Sequence, residues 1–156
     1  MTRFAIALLG ACALALTQAP GALALIQLDK GISGVRIGNT KAQVKASLGT
    51  PQKSRAGSND FGRFVQYIFA GGITVTFQGE DRVSSVVTTG LGDRTSSGIG
   101  VDSPEDAVKN ISGIKCETIG GSRSCHTGRL VSGRKVTDFR IADGKVVSVF
   151  VGQVLD

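Results

Sequence analysis

The side chains that most often run acid–base, nucleophilic or metal chemistry are scarce here, and their spacing narrows what they can do. His126 is the only histidine in the 156 residues and directly follows Cys125. Cys116 and Cys125 lie a short stretch apart, and in an oxidising compartment such an even pair closes a disulfide. A loop that short contributes roughly 2–3 kcal/mol by restricting the unfolded chain. The same two cysteines with His126 make the alternative, a metal site, but a closed zinc site needs four ligands and no fourth is in evidence. A Ser–His–Asp arrangement would draw on plentiful Ser and Asp, yet no Gly-x-Ser-x-Gly elbow is present. The glycine-rich segments 31–38 and 90–100 lack the Gly-Lys-Ser/Thr ending of a phosphate-binding loop, and they read as turns. No catalytic residue, cofactor or metal is therefore expected.

The N-terminus reads as an address. Arg3 gives a positive start, Phe4 to Leu16 is an apolar run, and Ala22-Leu23-Ala24 is a small-x-small cleavage signal, so 1–24 is expected to be a signal peptide cut after Ala24. The apolar run is shorter than the roughly 20 residues that span a bilayer. Leu9-Gly10-Ala11-Cys12 has lipobox character, but an apolar run follows Cys12 where a lipoprotein has a polar tether, so lipid anchoring there is not expected. No later run has spanning length. The chain is thus read as secreted or periplasmic, with no transmembrane segment and at most peripheral membrane contact.

An internal repeat organises the rest. At an offset of 64 residues the segment 33–45 aligns without gaps on 97–109, keeping Gly34/Gly98, Val35/Ile99, Ile37/Val101 and Val44/Val108 in register. In the first copy Thr40-Lys41-Ala42-Gln43 has the form of a capping box, Val44 and Leu48 make a buried stripe, and Gly49 before Thr50-Pro51 stops the helix. In the second, Ser103 is expected as N-cap with Pro104 at the first helical position, Glu105 and Asp106 against the dipole, and Gly113 at the end. Strands are expected at 63–70, 73–78 and 82–89, then at 114–118, 123–130, 135–142 and 145–154, the last two joined by an Asp143-Gly144 type I′ turn. The stretches 54–62 and 117–127 read as the longest irregular segments. The expected fold class is α+β: two tandem repeats, each a short helix packed on an antiparallel β-meander, able to pair into one continuous sheet. The expected domains are 25–91, a linker at 92–98, and 99–156 with the disulfide.

The phrase from Gly34 to Val44, ending Leu48-Gly49-Thr50-Pro51, resembles SmpA/OmlA-type domains, small helix-on-sheet envelope modules that include an accessory lipoprotein of the outer-membrane β-barrel assembly machine. A secreted tandem of such units is also similar to the β-lactamase inhibitory proteins. The resemblance covers about 17 residues well. It implies a helix-plus-sheet fold and binding rather than catalysis; no family site residue is carried over.

The remaining lead is charge. The chain carries 18 Lys and Arg against 12 Asp and Glu, net +6, and a basic exterior attracts anionic partners. Arg36, Lys41, Lys45, Lys53, Arg55 and Arg63 precede the linker; Arg123, Arg129, Arg134, Lys135 and Arg140 follow it. The residues singled out for partner binding are Arg55, Arg63, Tyr67, Arg123, His126 and Arg129. The expected function is a secreted, non-enzymatic binding module for a protein or an anionic polymer of the cell envelope or exterior, the alternative being an inhibitor of a secreted hydrolase such as a β-lactamase. Nucleic acid is not expected, because secretion keeps the chain away from it and stacking aromatics are few.

Overall fold

The computed structural model describes residues 25–79 and 81–155. The expected signal peptide, its cleavage site and Cys12 lie outside the described residues. The order of elements is β1 (Ile26–Gln27), β2 (Gly31–Ile32), β3 (Val35–Arg36), α1 (Lys41–Leu48), β4 (Lys53–Asn59), β5 (Gly62–Ile68), a 3₁₀ turn (Ala70–Gly72), β6 (Ile73–Gln78), β7 (Ser85–Thr88), α2 (Glu105–Lys109), β8 (Ile114–Ile119), β9 (Ser122–Thr127), β10 (Lys135–Ala142) and β11 (Lys145–Gln153). Eight strands form one antiparallel sheet in the order β4-β5-β6-β7-β11-β10-β9-β8, and β1-β2-β3 form a small second sheet.

This corrects the expected class. The α+β reading, two tandem repeats of a helix on a meander, gives way to a mostly β protein, because the helices are too short to make a layer. α1 has eight residues and α2 five, both below the length at which a helix sustains itself in water. The strands carry the core instead. Pairing of β7 with β11 through Val86↔Val151 and Thr88↔Val149 makes the two meanders one sheet. The expected linker is also built into the structure: Asp93 and Thr95 are buried, and the amide of Ile26 donates to the Arg94 carbonyl.

Strand alternation sorts the side chains of the large sheet onto two faces. One face holds Phe69, Ile73, Val75, Phe77, Val86, Val149, Val151, Phe139 and Cys125, which pack with Val44 of α1, Val108 of α2 and Ile26, Ile32 and Val35 of the small sheet in a single core. This is the helix face. The opposite, open face carries Gln66, Thr74, Thr76, Ser85, Val87, Phe150, Asp138 and His126, which the cross-strand register places in rows.

The first helix starts as its sequence dictates. Gln43 N–H donates to Thr40 Oγ1 at 3.3 Å, and Thr40 N–H donates to Gln43 Oε1 at 2.8 Å, a complete capping box. Gly49 then takes φ 80°, a left-handed conformation natural to glycine. The second helix departs from expectation: Pro104 is its N-cap, without a side-chain cap bond. Ser103 Oγ instead accepts from Gly100 N–H and from Arg94 Nη1, each at 3.0 Å. Its oxygen is taken up by the segment before the helix.

Cys116 and Cys125 are directly opposite on β8 and β9 and form a disulfide. Replacing both by alanine is expected to lower stability by roughly 2–3 kcal/mol, read as a shift in the denaturation midpoint. An unchanged midpoint would show that the bond contributes nothing. The small sheet is tied to this end of the large one by Asp29, whose carboxylate accepts from the hydroxyls of Thr127 and Thr137 while its amide donates to Thr137 Oγ1 at 2.7 Å. No helix of the described residues is long and apolar enough to cross a membrane.

Candidate functional site

Cationic side chains gather at the β4 end of the sheet. β4, Lys-Ser-Arg-Ala-Gly-Ser-Asn, is exposed along its whole length, and it corrects the irregular segment expected over 54–62. It pairs with β5 from Lys53↔Ile68 to Asn59↔Gly62. On β4, Lys53, Arg55 and Gly57 fall on the open face; Ser54, Ala56 and Ser58 fall on the helix face. α1 is too short to cover this corner, and a cleft of about 720 Å³ remains, lined by Lys41, Ala56, Ser58, Arg63, Val65 and Phe77 among others. Its floor is apolar, and the charged residues that line it are Lys41, Arg63 and Asp81. Lys41 pairs with Asp81 at the rim, and its ammonium sits 5.7 Å from the Phe77 ring centre. Lys45 sits 5.6 Å over the ring of Tyr67.

A second cluster occupies the open face at the other end. His126 is 2 % exposed and approaches Glu117 Oε1 through Nε2 at 2.9 Å. Lys115, 2.5 Å from the other oxygen of Glu117, is the main cause that holds this carboxyl below its ordinary value, with His126 second. Because Glu117 is thereby ionised, the proton of that contact belongs on Nε2. His126 Nδ1 and Asp138 Oδ1, on directly opposite residues of β9 and β10, are buried without a hydrogen-bond partner among the described residues. Burial pushes the Asp138 carboxyl above its ordinary value, against the opposing pull of Ser124, His126 and Arg140.

The sign of the Asp138 effect follows from linkage. A carboxyl raised in the folded state contributes stability below its unfolded value near 3.8, and that contribution is lost as pH rises through the folded value. Asp138→Asn, which resembles the protonated acid, is therefore expected to raise the melting temperature at neutral pH and leave it nearly unchanged at acid pH. Equal effects at both would contradict this account. Glu105 behaves oppositely: its bond from Arg123, at 2.5 Å, lowers its carboxyl value, so that contribution is lost as pH falls.

The six residues singled out from sequence are not brought together. Arg55 lies on the open face of β4, whereas Arg63 points from the helix face of β5 into the cleft. Tyr67 packs edge-on against Phe69 and Phe77, with ring centres 6.3 and 5.0 Å apart. Arg123 is engaged by Glu105 of α2. His126 is buried on the open face, and Arg129 is exposed in the loop after β9. Cys125 faces the helix side and His126 the open side, so the three metal ligands considered from sequence are divided between faces. Glu105 does lie with the two sulfurs within 4.8 Å, but those sulfurs are bonded to each other. Sequence reasoning listed Lys41 only among the general basic residues and passed over Glu117 and Asp138. Its available signal was strand parity, since Lys53 and Arg55 are two apart, as are Ser124 and His126.

No family model matches the chain, and no curated protein matches it. Among solved structures, it is similar to an extracellular protein containing an SCP domain from Bacillus anthracis, at 13 % identity and a TM-score of 0.49, over 75 % of this chain and 44 % of that one. This chain thus spans less than half the length of that protein. It is also similar to a DUF4309 family protein, YjgB, from Bacillus subtilis, at 21 % identity and a TM-score of 0.47, over 78 % of this chain and 84 % of that one.

Proposed function

We propose that this chain is a secreted or periplasmic, non-enzymatic binding module for a protein or an anionic polymer of the cell envelope or exterior. The observation that carries this reading is the cationic corner, where Lys41 and Arg63 line an open cleft on the helix face, Lys45 stands on the adjoining helix, and Lys53 and Arg55 lie on the open face of an exposed edge strand. The charges lie on both faces of one hairpin and the adjoining helix. Such an arrangement attracts polyanions and acidic proteins. The signal-peptide features and the disulfide support the compartment. Burial of His126, the one histidine, supports a non-catalytic role.

An inhibitor of a secreted hydrolase would be favoured by an aromatic cluster on the open face. The described residues place Phe64 and Phe150 there, on strands separated by β6 and β7, each ring over a glycine, Gly57 and Gly152. That is two isolated rings. The binding module is therefore the preferred reading.

The test is retention of residues 25–156 on immobilised polyglutamate and on heparin across a salt gradient. The native sequence is expected to bind at low salt and elute as salt screens the charges. Arg55→Glu with Arg63→Glu should pass through both columns, while Arg129→Glu, outside the corner, should be retained. Equal retention of all three would remove the reading.

A further inference from the structure

We infer that the free edge of β4 is a docking site for an extended segment of a partner protein in which acidic and apolar residues alternate, added to the sheet as a ninth strand. The inference rests on the binding-module reading and names its partner's chemistry. It begins with backbone phase. Gly79 N–H donates to the Arg63 carbonyl at 2.7 Å, so Arg63, Val65 and Tyr67 turn their backbone polar groups toward β6. By the alternation of an antiparallel ladder, Phe64, Gln66 and Ile68 turn theirs toward β4, where they meet Gly57, Arg55 and Lys53. The N–H and C=O groups of Ser54, Ala56 and Ser58 are therefore aimed away from the sheet. β4 is the outermost strand among the described residues, and such a row of backbone groups is a template for strand addition.

Side-chain parity then fixes what the added strand must carry. Its residues on the open face would lie beside Lys53 and Arg55, two cations for which the structure shows no acidic partner among the described residues. These positions call for Asp or Glu. Its residues on the helix face would lie beside Ser54, Ala56 and Ser58, whose small side chains leave the cleft open over Val65 and Phe77. These call for aliphatic side chains. A second copy of β4 carries no acidic side chain and would bring only further cations to the open face, so it leaves Lys53 and Arg55 without a partner. The two cations thus select an acidic strand. The opposite edge, β8, offers no such contrast, since Lys115 and Glu117 on it already pair with each other.

The experiment uses residues 25–156 and three probes: a short capped peptide alternating Glu and Val, a peptide of the same composition with Glu and Val in separate blocks, and polyglutamate. Binding is measured by calorimetry, and amide hydrogen exchange reads the edge. The alternating peptide is expected to bind at least about tenfold more tightly than the block peptide and to slow exchange at Ser54, Ala56 and Ser58. Ala56→Pro removes one outward N–H without touching the β4–β5 ladder, and it should abolish the preference while leaving polyglutamate retention intact. Lys53→Glu with Arg55→Glu should lose the alternating peptide and provides a second test should the proline variant fail to fold. Equal binding of the two peptides, no binding of either, or unchanged exchange at the three amides would overturn the inference, and continued polyglutamate retention would then leave the broader reading standing. Protection of the same amides in the free chain, rising with its own concentration, would also overturn it and assign the edge to a second copy.

Discussion

Phe139→Ala is expected to cost about 3–5 kcal/mol, the range for truncating a fully buried aromatic in a packed core. Phe139 is 0 % exposed. It stands on β10 at the helix face, opposite Val149 of β11 on one side and Cys125 of β9 on the other. Truncation would open a void beside the disulfide and against the valine row. The surrounding strands are held by ladders on both sides, so collapse into the void would be limited. Phe150→Ala is the control: it removes an equal volume from the other face of the neighbouring strand, where the ring is only half-buried, and should cost less than half as much. Urea midpoints of the two variants decide the matter. Similar losses would mean that the open face is as tightly packed as the helix face and that the division of the sheet into a core face and an open face is wrong.

The same division explains what the sequence could convey. β6 is legible because Ile73, Val75 and Phe77 are buried while Thr74, Thr76 and Gln78 are not, and a burial contrast is what period-two patterning records. α1 is legible because its capping box and terminal glycine are local chemistry. β4 is silent for the converse reason: an edge strand with neither face covered has no contrast to record, and Lys-Ser-Arg-Ala-Gly-Ser-Asn reads as loop. The strands of the small sheet, two residues each, are too short to establish any period. Fold class went astray on helix weight. The first helix start is visible and the second is read one residue early, but a start signal does not state length, and two short helices on a continuous sheet make a β protein. His126 illustrates the limit for sites. Parity separates it from Cys125, yet that it is buried and faces Asp138 depends on β10, which is distant in sequence.

Asp93→Ala is expected to destabilise the fold by about 2–4 kcal/mol, because it strips the acceptor from two hydroxyl donors at once, one of them fully buried. Asp93 lies in the stretch 92–98 that reads as a polar linker, and it is 5 % exposed. Its Oδ1 accepts from Ser33 Oγ at 2.5 Å and its Oδ2 accepts from Thr88 Oγ1. Thr88 Oγ1 in turn accepts from Gly90 N–H at 3.0 Å. One carboxylate thus joins the small sheet, through the turn after β2, to β7, the strand at which the two meanders meet. Alanine would leave both hydroxyls without an acceptor and loosen that junction. For a chain of this size the loss corresponds to a fall in melting temperature of about 10 °C. Ser33→Ala removes only one donor and should cost about 1 kcal/mol. If the segment were a passive tether, Asp93→Ala would melt with the native sequence. A large fall for Asp93→Ala beside a small one for Ser33→Ala would instead place the stabilisation in the junction, with the sheet a single cooperative unit and the cationic corner held rigidly at its end.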